Sequence, residues 1–124
     1  MLEGQYWLEY LRPALLRHSS LHDWLIWKHS DRFNAGILDV SISLEKISMW
    51  FELKILPNEP DSLQVNYLKK LGEGAYLISV AKDLHGAVIQ GISFANRCRF
   101  PNHGGKKLTA EWIANEIAMR CVNV

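Results

Sequence analysis

The sequence predicts an α/β fold, in which a mixed β-sheet is flanked by helices. Residues 37–44 and 47–56 carry an apolar side chain at every second position and most of their polar side chains between these, as strands with two different faces do. Residues 3–17 and 108–121 instead space their apolar side chains as helices do. A further helix with clear start and end signals is predicted between strands, at residues 61–72. A strand that follows such a crossover helix is expected to lie parallel to an earlier strand.

The N-terminal segment predicts a helix over residues 3–17, with Pro13 expected to kink or restart it. Its apolar residues at helical spacing are Trp7, Leu11, Ala14 and Leu15. The next segment, residues 23–29, is short and aromatic and predicts the first strand.

The two alternating segments are predicted to form a β-hairpin, because only Glu45 and Lys46 separate them. One face of each strand is apolar. The opposite faces carry charged residues inside hydrophobic runs, and these are Asp39, Glu52 and Lys54. A charged group placed there loses several kcal/mol of hydration unless it has partners.

The crossover helix is predicted to begin at Asp61 or Ser62, after Pro60, and to end at Gly72 or Gly74. One stripe of this helix carries Gln64, Tyr67, Leu68 and Leu71.

The rest of the chain predicts one or two strands and a closing helix. Residues 75–82 are predicted to form a strand, and residues 87–94 favour another. The closing helix is expected over residues 108–121, with Thr109 as its cap. Its predicted contact side comprises Leu108, Trp112, Ile113, Glu116 and Ile117.

The whole-chain properties favour a single globular domain over residues 1–124. The chain has an ordinary domain length and no apolar run of the ~18 residues that a membrane span requires. Its N-terminus lacks the basic start and clean apolar core of a signal peptide. Cys98 and Cys121 are too few for a disulfide framework, so reduced thiols and a cytoplasmic location are expected. The net charge of +1 excludes no class of partner.

The three charged residues of the hairpin predict a metal site if the polar faces of their strands coincide. A divalent cation between Asp39 and Glu52 would offset their repulsion, and Mg²⁺ prefers carboxylates, water and phosphate oxygens. The carbonyl of Leu53 could supply a further oxygen ligand. Lys54 would then position or help to deprotonate a water molecule. The alternative interpretation is a structural ion pair of Lys54 with Glu52 or Asp39 on a solvated sheet face.

These residues occur in an order that resembles the PD-(D/E)xK nuclease superfamily, and most closely its VRR-NUC type, small phage nucleases and archaeal Holliday-junction resolvases. The matching elements are "GILD" (36–39), "FELK" (51–54) and "DSLQVNYLKKL" (61–71). The strand at "GAYLISV" also fits the family order. The resemblance covers about residues 3 to 82, and Leu38 departs from it because the family usually has proline there.

The resemblance implies a restriction-endonuclease-like core of the order α-β-β-β-α-β-(β)-α and an endonuclease that hydrolyses DNA phosphodiester bonds. It implies that Asp39 and Glu52 bind Mg²⁺ or Mn²⁺, that Lys54 acts on the attacking water and that Gln64 is an ancillary catalytic residue. It also implies an acidic residue on the first helix, for which Glu3 is favoured over Glu9.

The expected partner is DNA, with branched or junction DNA as one option, a homodimer as one assembly and no membrane. Lys28, His29 and Arg32 precede the predicted hairpin and are candidate contacts to phosphate. The five tryptophans are interpreted as core and sheet packing. If the chain is phage-encoded, the cytoplasm would be that of the host cell. The competing hypothesis is a catalytically inactive module of the same fold that binds DNA or another partner.

Overall fold

The computed structural model describes residues 2–22, 24–29, 39–44, 47–83, 86–91, 97–99 and 104–122. Their strands form one six-stranded sheet, and the strand bounds are β1 Leu25–Lys28, β2 Val40–Leu44, β3 Ile47–Ile55, β4 Ala75–Val80, β5 Ala87–Gly91 and β6 Arg97–Arg99. The helical elements are α1 Glu3–Tyr6, a π-helical turn Trp7–Leu11, α2 Arg12–His22, α3 Ser62–Leu71, a 3₁₀ turn Gly72–Gly74 and α4 Gly105–Val122. The predicted α/β class with a mixed sheet and flanking helices is confirmed.

The strands lie in the sheet in the same order as in the sequence, from β1 to β6. All neighbours are antiparallel except β3 and β4, which are parallel. The predicted hairpin is confirmed by the β2–β3 register, which pairs Val40 with Phe51 and Leu44 with Ile47. Because Val40 pairs with Phe51, the preceding residue Asp39 comes next to Glu52.

Helix α3 makes the crossover between the two parallel strands. Asp61 is its N-cap, and the Asp61 carboxylate accepts the backbone N–H of Gln64. The helix gives way to Gly72, whose φ of 77° is one that glycine adopts at little cost. The predicted start and end of this helix are therefore confirmed.

The two faces of the sheet are covered differently. One face packs its apolar side chains against α1, the π-helical turn, α2 and α4, and forms the main core. The members of this core from β2 to β5 are Val40, Ile42, Met49, Phe51, Leu53, Ile55, Tyr76, Ile78, Val80, Ala87 and Ile89. The other face is covered by α3, which buries Leu68 against Ala75 and Leu77. This second face carries the polar residues of β2 and β3.

The first helix is disturbed near Pro13, as the sequence predicts. Residues Trp7–Leu11 form a π-helical turn that joins α1 to α2. Proline lacks an N–H and its ring collides with the carbonyl four residues earlier in an α-helix, so a wider turn before Pro13 relieves the conflict. Leu11 and Leu15 are both fully buried, which confirms the predicted apolar stripe.

The closing helix departs from the prediction. It begins at Gly105, so Thr109 is not its cap: the Thr109 hydroxyl donates to the carbonyl of Gly105 at 2.8 Å, within the helix. Leu108 is 48% exposed and does not belong to the contact side. A further strand, β6, forms around Cys98, where no strand is predicted. Within the described ranges, no helix is long and apolar enough to cross a membrane.

Candidate active site

Asp39 and Glu52 hold each other in place across the β2–β3 hairpin. The backbone N–H of Asp39 donates to Glu52 Oε2 at 3.2 Å, and the backbone N–H of Leu53 donates to Asp39 Oδ2 at 2.9 Å. Each carboxylate is thus oriented by the main chain of the opposite strand. The polar faces of the two strands coincide, as the alternation of their side chains predicts.

Gln64 links helix α3 to this pair of carboxylates. Its side-chain Nε2 donates to Glu52 Oε1 at 2.8 Å. Its Oε1 accepts the backbone N–H of Asp61 at 2.9 Å, which completes a capping box. The same amide therefore fixes the start of the helix and the orientation of Glu52.

Two lysines lie against the two carboxylates. Lys54 Nζ is 3.3 Å from Glu52 Oε1, and this side chain is only 13% exposed. Lys28 Nζ is 3.3 Å from Asp39 Oδ1, and its side chain is 37% exposed. The Lys54 ammonium is thus held in a largely dry site, whereas Lys28 reaches Asp39 from the solvent side.

Glu52 has an unusual protonation equilibrium. The pKa of its carboxyl is raised from an ordinary value of 4.5 to about 8, and the largest cause is burial, since the residue is 1% exposed. The charge of the neighbouring Asp39 and a hydrogen bond with it also raise this pKa, while Lys54 lowers it. The free-energy cost of dehydrating the Glu52 carboxylate is therefore larger than its stabilisation by Lys54.

His29 forms the wall of the site beside β1. Its backbone N–H donates to the carbonyl of Asp39 at 2.7 Å, and its Nε2 lies 2.8 Å from Ser41 Oγ. The imidazole stacks on Trp50, with ring centroids 4.8 Å apart and an angle of 19° between the planes. Burial and then the charge of Lys28 lower the His29 pKa, which favours the neutral ring.

The structure brings most of the predicted site residues together. Asp39, Glu52, Lys54 and Gln64 form one hydrogen-bonded group, with Lys28 and His29 at its border. Arg32 and Leu38 lie outside the described residues. The backbone N–H of Leu53 contacts Asp39, while its carbonyl as a metal ligand stays a prediction.

The two candidate acids of the first helix lie elsewhere. Glu3 lines an open pocket with Ile55, Leu56 and Lys82, at the C-terminal end of β3. Glu9 is exposed, and its carboxylate accepts from Gln5 at 3.5 Å. Among the contacts of the described residues, neither acid reaches Asp39 or Glu52, so a catalytic role for Glu3 stays a prediction.

The paired carboxylates fit a hard divalent cation. One of the two is almost completely dehydrated and has too little nearby positive charge to keep it ionised at neutral pH. Among the described residues, no cluster of three or more His, Cys, Asp or Glu side chains that could hold a metal ion is found. A cation here would therefore complete its shell with water and substrate oxygens, as Mg²⁺ commonly does.

Sequence reasoning missed the aromatic side of the site. The packing interpretation is correct for Trp7 and Trp24, which are buried, but Trp27 is 62% exposed. Trp27 and Leu25 alternate with Ile26 in β1, and both are exposed while Ile26 is half-buried. That alternation was the available signal, but a four-residue strand is too short for it to be distinctive.

No protein-family model and no curated protein matches this chain. Among solved structures, the Holliday junction resolvase Hjc from the archaeal hyperthermophile Archaeoglobus fulgidus matches 84% of this chain and 97% of its own, with 11% identity and a TM-score of 0.49. A bacterial homing endonuclease matches 92% of this chain and 93% of its own, with 10% identity and a TM-score of 0.40. Both similarities concern the course of the backbone.

Proposed function

We propose that this protein is a divalent-metal-dependent endonuclease that hydrolyses DNA phosphodiester bonds. The supporting observation is the reciprocal hydrogen bonding of Asp39 and Glu52 across the hairpin. This arrangement holds two carboxylates together in a site where burial opposes the ionisation of Glu52, and packing alone does not require a carboxylate at that position. Lys54 and Gln64 complete a group that can bind a phosphate and a water molecule.

In this proposal Asp39 and Glu52 hold Mg²⁺ or Mn²⁺. The bound cation would polarise the phosphate and lower the pKa of a water molecule. The Lys54 ammonium, held 3.3 Å from Glu52, can donate a hydrogen bond to water or to a phosphate oxygen. Gln64 is a positioning residue, because it contacts Glu52 and the helix start rather than open space.

A catalytically inactive DNA-binding module is the second candidate, and one observation favours it. Lys28 and Lys54 each lie 3.3 Å from one of the two carboxylates, so two lysines face two acids. Such a group carries no excess negative charge that a metal ion would have to offset. The two proposals differ in whether the site binds a cation and cleaves DNA.

Cleavage of supercoiled plasmid and of a synthetic four-way junction distinguishes the two candidates. With Mg²⁺ or Mn²⁺ we expect nicking and strand scission, and with EDTA we expect neither. Glu52→Ala and Lys54→Ala should each reduce the rate by about 100-fold or more, which is typical for loss of one electrostatic group in an active site. No cleavage with either metal would instead support the inactive module.

Two exposed residues supply matched controls. Lys69→Ala removes an ammonium from the solvent side of α3, and Glu73→Ala removes a carboxylate from the following turn. Both variants should cleave as the parent protein does. Cleavage that survives in Glu52→Ala would contradict the proposed site. The activity would then come from other residues or from a contaminating nuclease. Light scattering would show whether the protein is the homodimer that paired cuts in a junction require.

A further inference from the structure

Strand β1, at one edge of the sheet, exposes two large apolar side chains. Leu25 is 60% exposed and Trp27 is 62% exposed. Their partners in β2 are Ser43 and Ser41, so both side chains lie on the face of the sheet that carries the site. Natural edge strands are more often protected by charged side chains than left apolar. The two exposed apolar side chains of β1 therefore indicate a surface that binds a partner.

Trp27 is the outer member of an ordered row of rings. Its ring contacts that of His29 edge-on, with centroids 6.3 Å apart and an angle of 82°. His29 in turn stacks on Trp50 and is held by Ser41. Trp50 packs against the cluster in which Leu68 of α3 contacts Ala75 and Leu77 of β4. The inner rings are thus fixed by the fold, while the outer indole faces solvent.

The exposed indole lies close to the carboxylates. Trp27 is two strands away from Trp50, and Trp50 is two residues before Glu52 on β3. At ~4.8 Å per strand and ~3.3 Å per residue, the Cα atoms of Trp27 and Glu52 are on the order of 12 Å apart. Lys28, the next residue after Trp27, extends its ammonium to Asp39 between them.

We propose that Trp27 stacks on an unpaired base of a DNA strand whose backbone enters the Asp39–Glu52 site. Aromatic planes bind bases of any sequence, and a neighbouring cation attracts the phosphate backbone. The substrate class is then DNA with unpaired nucleotides next to the cleaved bond, such as a flap or a single strand. This inference rests on the proposed nuclease function for the position of cleavage, but not for the stacking itself.

Fluorescence of single-stranded oligonucleotides that contain 2-aminopurine tests the stacking. The measurement is made in EDTA, so that neither metal binding nor cleavage contributes. Trp27→Ala should weaken single-strand binding by about tenfold or more, and should abolish the quenching that stacking produces. Trp27→Phe should retain most of the quenching, because the aromatic plane remains. Binding of a blunt duplex of the same length should change little.

Leu25→Ala is the matched control, since Leu25 lies on the same strand and face with nearly the same exposure. It should leave single-strand binding unchanged. Equal losses in both variants, equal losses for duplex and single strand, or unchanged quenching in Trp27→Ala would each overturn the proposal. A dimer that becomes monomeric in both variants would show that the edge is an interface between two copies, and would also overturn it.

The outcomes separate this inference from the nuclease proposal. If Trp27→Ala loses quenching while the parent protein never cleaves DNA, then stacking stands and the nuclease proposal fails. If metal-dependent cleavage is observed with no effect of Trp27→Ala on single-strand binding or quenching, then the nuclease proposal stands and stacking fails. Where both hold, Trp27→Ala should slow cleavage of flaps more than cleavage of duplex.

Discussion

The two faces of strand β3 show how one strand can serve both stability and chemistry. On the face covered by α1, α2 and α4, Phe51, Leu53 and Ile55 are buried in the main core. On the opposite face, Glu52 is just as well buried, yet it is ionisable and is fixed by hydrogen bonds. Burial of an apolar side chain stabilises the fold, whereas burial of a carboxylate must be compensated by partners.

The difference between the faces lies in what covers them. The core face meets helices whose apolar side chains fill the space, such as Trp7 against Phe51, with ring centroids 6.5 Å apart. The other face meets the start of α3, where Gln64 and the cap of the helix lie. A helix start brings polar groups close to the sheet, and this allows Glu52 to be dry without lacking hydrogen bonds.

The largest effect on stability is expected on the core face. Phe51→Ala removes a fully buried ring that contacts Trp7. The free energy of unfolding should fall by about 3–5 kcal/mol, through lost burial and the cavity that remains. Urea unfolding in EDTA measures the change. Leu63→Ala, on the exposed side of α3 at 49% exposure, should cost far less and serves as the control. A loss under about 1 kcal/mol for Phe51→Ala would show that this face is not the main core.

The next effect concerns the pH dependence that Glu52 gives to the site face. Its folded-state pKa of about 8 lies above the ordinary value of 4.5, so the folded protein binds this proton more tightly than the unfolded chain. Its contribution to stability is complete below pH 4.5 and is lost as pH rises towards 8. The free energy of unfolding should therefore fall by up to ~1.4 kcal/mol per pH unit in that window.

Urea unfolding of the metal-free protein, from about pH 5 to about pH 9, measures this slope. Other groups also titrate, so the informative quantity is the difference between the parent protein and Glu52→Gln. The stability of the variant relative to the parent should rise with pH and level off above pH 8. Parallel profiles would mean that Glu52 ionises normally and that the site face is wetter than the structure indicates.

A smaller effect is expected where the site meets the helix start. Asp61→Ala removes the N-cap of α3 and should cost about 1 kcal/mol of stability. Because Gln64 takes part in the capping box and also donates to Glu52, the variant should also lower any metal-dependent cleavage. Ser62→Ala, next to the cap, is the control. If cleavage is unchanged while stability falls, the cap and the site are independent.

The sequence predicted the fold class and the grouping of four site residues, because both depend on local patterns. Strict alternation located Glu52 and Lys54 on one face of β3, and the cap signal of Asp61 located α3. The order of Asp39, Glu52, Lys54 and Gln64 along the chain resembles that in nucleases, and this resemblance predicted that the four residues form one site. The hydrogen bonds that join them confirm that they are neighbours, while their catalytic roles stay predictions.

The predictions were wrong or incomplete where backbone geometry or long-range packing decides the outcome. Thr109 looks like a helix cap, but the glycines at 104 and 105 have positive φ and let the helix begin earlier. Trp27 looks like a packing residue, but its side of β1 is left uncovered by the described residues of the fold. Neither outcome can be derived from spacing alone, since the first depends on the backbone angles at the two glycines and the second on which element covers which surface.

The smallest effect is expected from one exposed ion pair on each side of the sheet. Lys28 pairs with Asp39 at the border of the site, and Arg17 pairs with Glu111 between α2 and α4. Exposed pairs contribute about 0–1 kcal/mol and weaken with salt, so Lys28→Ala and Arg17→Ala should each change stability by no more than that. Urea unfolding at low and high salt measures both. A clearly larger loss for Lys28→Ala would show that Asp39 depends on the lysine as Glu52 depends on its own partners, which would favour the metal-free, inactive form of the site.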